Sequence, residues 1–248
     1  MNALAALGGL RTVGLDELNA RAELQTRVDR KYIVPARDLP AVLHALPTGS
    51  DVLEIGGENA LRYASQYFDT PTLDSFYGAV RGRRRRFKVR ARTYLDSGGS
   101  FLEVKTRGAR AATVKDRVPV TGDELDDEAV AYATDLLADA GIPGAARLAE
   151  RLQPTLVTRY RRATVLLPAT PGGDPSRATI DTELTWIAAD GAVLQLDDAR
   201  NLGELGVDLL AVVVRALPDV LGGALPELLR QLGRQLVRLD DRVLEQAR

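Results

Sequence analysis

From residue 87 to residue 120, apolar and polar positions alternate with a period of two. Over 87–95 one strand face would carry Phe87, Val89, Ala91, Thr93 and Leu95, and the other Lys88, Arg90, Arg92 and Tyr94. Ser97-Gly-Gly-Ser100 has the composition of a turn. Over 101–107, Leu102, Val104 and Thr106 oppose Phe101, Glu103, Lys105 and Arg107. After Gly108, Val114, Val118 and Val120 oppose Thr113, Lys115 and Arg117. Successive side chains of a strand project to opposite faces, so the pattern predicts an antiparallel meander with one apolar and one basic face.

The same reading predicts strands over 27–34 (ended by Pro35), 61–69, 154–167, 177–187, 192–196 and 209–216. In 177–187, Arg177, Thr179, Asp181 and Glu183 would share one face. Helices are predicted over 14–24, 37–46, 72–79, 126–140 and 225–246. Asp38 would cap the second of these, with Pro40 in its first turn; Gly141 and Pro143 end the fourth. Residues 168–175 form a Gly- and Pro-rich loop. Neither an internal repeat nor a linker divides the chain. The expectation is one α+β domain over 1–248, built on a large antiparallel sheet or barrel.

Composition narrows the chemistry. At 248 residues the chain is long enough to bury a sizeable core. It has no cysteine, which excludes disulfides and thiolate metal sites. Its one histidine, His44, cannot build a His-rich metal centre and reads as a packing or surface residue. No apolar run approaches the ~18–20 residues of a membrane span, and the N-terminus has no basic region ahead of its apolar residues. The expectation is a cytoplasmic protein. Neither a Walker A sequence, a dinucleotide glycine pattern nor zinc spacing is present.

Charge is balanced overall, 33 Lys+Arg against 34 Asp+Glu, but unevenly placed. Arg81, Arg83, Arg84, Arg85, Arg86, Lys88, Arg90 and Arg92 crowd one stretch, and the lysines are Lys31, Lys88, Lys105 and Lys115. A basic strand face is ordinarily a solvated outer face. On adjacent strands, however, cations directly opposite one another repel, and an anion between them relieves the repulsion. If the sheet closes, Lys31, Arg90, Arg92, Lys105, Lys115, Arg117, Arg162 and Arg177 line its inside, a set suited to a polyanion such as a phosphate chain. Half of Arg83–Arg86 must face away from that lumen, as a solvated entrance or as a field that steers anions inward.

The chain resembles the VTC domain, the catalytic domain of polyphosphate polymerases of the vacuolar transporter chaperone type, in the triphosphate tunnel (CYTH-like) superfamily. The matching segments are Arg27-Val-Asp-Arg-Lys-Tyr32, Tyr67-Phe-Asp-Thr-Pro71, Arg83–Tyr94, Phe101–Thr106, Thr113–Arg117, Tyr160–Arg162 and Arg177–Asp181, in that order. The resemblance implies an antiparallel β-barrel tunnel with flanking helices that holds a triphosphate or growing polyphosphate. It implies transfer of the γ-phosphoryl group of ATP or another triphosphate to the chain end, assisted by Mn2+ or Mg2+. It gives Lys31, Arg90, Arg92, Lys105, Lys115, Arg162 and Arg177 as phosphate ligands and catalytic residues, with Arg117 added from strand alternation. Membrane protein partners of the family are a further expectation; nucleic acid is not.

The C-terminal strand and helix, 207–248, depart from the family pattern. Arg215 stands where the family has a metal-binding Glu, and Leu217 where it has a Lys. Asp29, Glu103, Asp181 and Glu183 remain to hold a metal, or to pair with neighbouring arginines. Three functions follow: a metal-dependent polyphosphate polymerase, favoured by resemblance; a tunnel that keeps its phosphate ligands but is impaired in catalysis, favoured by Arg215; and nucleic-acid backbone binding, disfavoured because few aromatic residues interleave the basic ones. A reading-frame change is the other origin of such a tail.

Overall fold

The computed structural model describes residues 4–22, 28–108, 113–169, 173–195 and 209–216. In chain order its strands and helices are β1 (Arg11–Val13), α1 (Leu15–Arg21), β2 (Val28–Pro35), α2 (Leu39–His44), β3 (Asp51–Leu53), β4 (Leu61–Asp69), α3 (Asp74–Val80), β5 (Phe87–Tyr94), β6 (Gly99–Arg107), β7 (Thr113–Pro119), α4 (Asp127–Asp139), α5 (Ala145–Ala149), β8 (Gln153–Leu167), β9 (Ser176–Ala188), β10 (Val193–Gln195) and β11 (Leu209–Ala216). The fold is α+β with an antiparallel-dominated sheet, as the alternation implies. Contacts divide the chain into two compact units. One is Met1–Leu61 with Tyr160–Leu184 and Gln195–Arg248; the other is Arg62–Arg159 with Thr185–Leu194.

In the first unit β11 lies between β2 and β9, antiparallel to both. Leu7, Val34, Leu39, Val42, Val52, Val165 and Ile180 form its core. The pattern did not predict β1 and β3, because three residues are too few to show an alternation. They pair in parallel, and Arg11 and Arg21 both hold the buried Asp51, at 2.6 and 2.8 Å. Asp38 makes no capping bond; it belongs to a 3-10 turn, Ala36–Asp38, that leads into α2. His44 is exposed at the end of α2. The helix expected over 225–246 lies outside the described residues.

In the second unit β4, β5, β6 and β7 pair successively, all antiparallel. The apolar face packs as expected: Phe87, Val89, Ala91, Leu102 and Val104 are buried against Ala129, Ala133 and Leu137 of α4. Those helix positions recur at about one turn, and Asp126 caps them by accepting from Ala129 N–H at 2.8 Å.

Asp69, at the end of β4, organises α3. Its buried carboxylate accepts the N–H groups of Thr70, Ser75 and Phe76 at 2.8, 2.8 and 2.9 Å. Leu73, just before the helix, is held at φ 54°, a conformation that a bulky side chain rarely adopts. Asp69→Ala leaves three donors without their acceptor, and bonds to a charged group are worth about 1.5–3 kcal/mol. A fall in melting temperature on the order of 5–10 °C is expected in a thermal scan. A fall under 2 °C would show that α3 holds itself.

Candidate functional site

The basic face of the second unit is a grid, because antiparallel register sets side chains in rows. One row runs Tyr67, Arg90, Glu103, Arg117 across β4 to β7. The row on one side is Ser65, Arg92, Phe101, Pro119, and that on the other places Lys88, Lys105 and Lys115 in line. Five of the candidate cations, Arg90, Arg92, Lys105, Lys115 and Arg117, are thus brought together with Glu103.

Glu103 is completely buried at the centre. Arg90 donates from Nε to Oε2 at 2.8 Å, and the Lys115 ammonium lies 2.7 Å from Oε1. Arg92 approaches Oε1 at 4.0 Å and donates to Ser65 Oγ at 3.3 Å. Burial on its own would raise the pKa of Glu103, but Arg90, Arg92 and Lys115 outweigh it and hold the group at about 2.

Among the described residues one carboxylate, Glu103, therefore serves Arg90, Arg92 and Lys115, and Lys105 beside them is left over. Among the described residues its ammonium has neither a hydrogen bond nor an ion pair. Burial lowers its pKa; Arg90, Arg92 and Lys115 lower it further against the pull of Glu103, to about 7. Burial likewise lowers Lys115, against its pairing with Glu103. This surplus of half-buried cations fits an anion.

Tyr67 joins the site although alternation alone did not single it out. Its hydroxyl accepts from Arg90 Nη1 at 2.9 Å. Burial would raise the phenol's pKa, but the charges of Arg90, Arg92 and Lys88 bring it below its ordinary value. The signal was its place in Tyr67-Phe-Asp-Thr-Pro71, two residues before the Asp69 that caps α3. Arg117 is exposed and lies over the Phe101 ring, 4.9 Å from its centre.

In the first unit the candidates are engaged differently. Arg162 binds Asp181 through two parallel bonds of 2.6 Å, both groups nearly buried. Arg177 is buried and donates to Leu18 O and Asn19 Oδ1, so it anchors α1. Glu183 does not share the face of Asp181. It has φ 54° and pairs at 3.9 Å with Arg161, whereas Asp181 pairs with the next residue, Arg162, which points to the other face of β8. The left-handed residue breaks the alternation that placed Asp181 and Glu183 together. By register, Lys31 lies opposite Val213, and Arg215 lies between Asp29 and Arg177.

The described carboxylates do not fit a resident metal ion. Both Glu103 oxygens face cations, both Asp181 oxygens are taken by Arg162, and Glu183 lies on the opposite face. Among the described residues there is no cluster of three acids or histidines able to hold an ion.

The family model of the VTC domain matches residues 26–213. No curated protein matches the chain. Distant structural likenesses include a candidate adenylate cyclase from Vibrio parahaemolyticus (12% identity, 90% of this chain and 88% of that one, TM-score 0.39). A second, from Bacillus halodurans, has 12% identity over 86% and 88%, TM-score 0.42. A candidate adenylyl cyclase from Hippeastrum with dominant triphosphatase activity has 10% identity over 86% and 87%, TM-score 0.38. Likenesses this distant say nothing of activity.

Proposed function

The chain belongs to the VTC-domain family, and from that premise we propose that it binds the phosphate chain of a triphosphate or polyphosphate on the basic face of β5, β6 and β7 and transfers the γ-phosphoryl group of a nucleoside triphosphate to a polyphosphate end. The observation that carries the reading is the grid in which one buried carboxylate, Glu103, serves Arg90, Arg92 and Lys115 while Lys105 has no ion pair among the described residues. A terminal phosphate oxygen attacks the γ-phosphorus, forming one P–O bond. The bond to the β-phosphate oxygen breaks, and nucleoside diphosphate leaves. No protein nucleophile is needed; the chain supplies alignment and charge neutralisation. Mn2+ or Mg2+ enters the proposal as the ion that arrives with the nucleotide, held by phosphate and water oxygens.

The test is incubation with ATP and Mn2+, followed by separate assays of long-chain polyphosphate and of free phosphate. Polymer is the expected product. Free phosphate alone would make the protein a triphosphatase. No turnover, with tripolyphosphate bound more tightly than sulfate or monophosphate, would favour the second reading, a binding module. The register of Arg215 beside Arg177, where the family has a metal-binding Glu, supports that reading. Cytoplasmic location and a membrane protein partner belong to the proposal as family properties; among the described residues no helix is long and apolar enough to cross a membrane.

Lys105 makes binding proton-linked. With its pKa at about 7, the unliganded group is mostly neutral at pH 8, and a bound polyanion restores its charge. Calorimetry of tripolyphosphate at pH 8 in buffers of different ionisation enthalpy should show uptake of close to one proton more than in Lys105→Arg, and affinity should fall as pH rises above about 7. Equal proton counts in the two proteins would remove Lys105 from the site. In the unliganded protein the sign is the reverse: stability rises between about pH 7 and 10.5, where the unfolded chain holds the proton and the folded one does not.

A further inference from the structure

We propose that the second unit also contains a nucleoside subsite, a pocket for the base and sugar of the triphosphate whose phosphates lie on the basic grid. The inference rests on the phosphate reading above. A cavity of about 680 Å³ is walled by Leu73, Phe76 and Val80 around α3, Leu156 of β8 and Trp186 of β9. Its volume is that of a small-ligand pocket. Phe76 and Val80 are 53% and 68% exposed, large apolar side chains left without cover on a short helix.

Two further residues of the lining, Tyr67 and Lys88, belong at the same time to the grid. Tyr67 is bonded to Arg90, and Lys88 stands in register with Lys105. The lining therefore combines apolar and aromatic side chains with two residues of the cationic grid. A bare polyphosphate has no use for the apolar wall. A lipid tail has no use for the lysine row. A flat ring joined to a phosphate chain uses both, because every base has a π-face that aromatic side chains accept.

The wall is also preorganised. Asp69 holds the start of α3 by three N–H bonds, and Ser75 Oγ donates to Phe87 O at 2.8 Å, fastening the helix to β5. Asp69 is the acid in the lining, and its carboxylate faces those N–H groups, which reduces its repulsion of a phosphate.

Trp186 is the single tryptophan of the chain, so its emission reports on this cavity alone. Titration with ATP is expected to change Trp186 emission, and titration with tripolyphosphate to leave it nearly constant. Phe76→Ala should weaken ATP about tenfold, the effect of losing one stacking partner, with tripolyphosphate affinity unchanged. Unchanged tripolyphosphate binding also shows that the variant is folded. ATP binding that Phe76→Ala does not alter, or ATP saturation without any change in Trp186 emission, would overturn the nucleoside subsite while leaving the phosphate site standing. Failure of wild-type protein to bind either compound would overturn both. Emission that depends on protein concentration without nucleotide, and that ATP does not affect, would place a second copy of the chain on these side chains and overturn the proposal.

Discussion

Replacing Glu103 with glutamine is expected to lower the melting temperature by on the order of 10 °C and to make tripolyphosphate bind more tightly. The two effects have one cause. Glutamine fills the same space but removes the negative charge that faces Arg90, Arg92 and Lys115. Taking one partner from a buried ion pair costs about 3–5 kcal/mol, since the remaining charge stays buried without compensation. An anion then takes the place of the missing carboxylate. The same balance is legible in wild-type protein against pH. Glu103 is held at about 2, against an ordinary 4.5, so it favours the folded state above pH 4.5. That contribution, about 3 kcal/mol, is lost as pH falls from about 4.5 to about 2. The glutamine variant should lack this component of acid unfolding. A variant as stable as wild type would show that the ion pairs of Glu103 do not stabilise the fold, and one that loses tripolyphosphate binding only in the presence of Mn2+ would show that Glu103 serves a metal.

Arg90→Ala should weaken tripolyphosphate binding by about 100-fold, and Arg84→Ala by less than about threefold. Arg90 is 8% exposed and fixed on both sides, by Tyr67 Oη and by Glu103. Its removal deletes a charge-assisted contact worth about 1.5–3 kcal/mol and also leaves Glu103 less neutralised, which repels the ligand. Arg84 is exposed and contributes through the general field, which salt screens. Calorimetry of the two variants at one salt concentration decides. If Arg84→Ala proves the more damaging, the anion sits on the exposed arginines before β5, and the grid is only a structural network.

Particular residues show where reading the chain succeeds and where it stops. Alternation put Arg90, Arg92, Glu103, Lys105 and Lys115 on one face of β5 to β7, and the structure keeps them there, because the period of a strand is a local property. Alternation also put Asp181 and Glu183 together, and one left-handed residue at Glu183 parted them. Local pattern carries no warning of such a break. Arg162 and Arg177 read as inward cations; one is bound to Asp181 and the other to α1, partners that lie 19 and 159 residues away in the chain.

By itself, then, the sequence determined the types of the longer elements, the bounds of β4 and β11, the two faces of the meander and the surplus of arginine beside β5. These follow from side-chain geometry and backbone preference within a few residues. Tertiary structure alone decided which acid neutralises which cation, that Lys105 is left without one among the described residues, that Tyr67 enters the grid, and that α3 and Trp186 wall a common cavity. Those outcomes depend on strand register and on contacts between distant segments. A carboxylate neutralises whichever cation the fold places within about 3–4 Å of it, since inside a protein the gain from a partner at that distance far exceeds that from one further away.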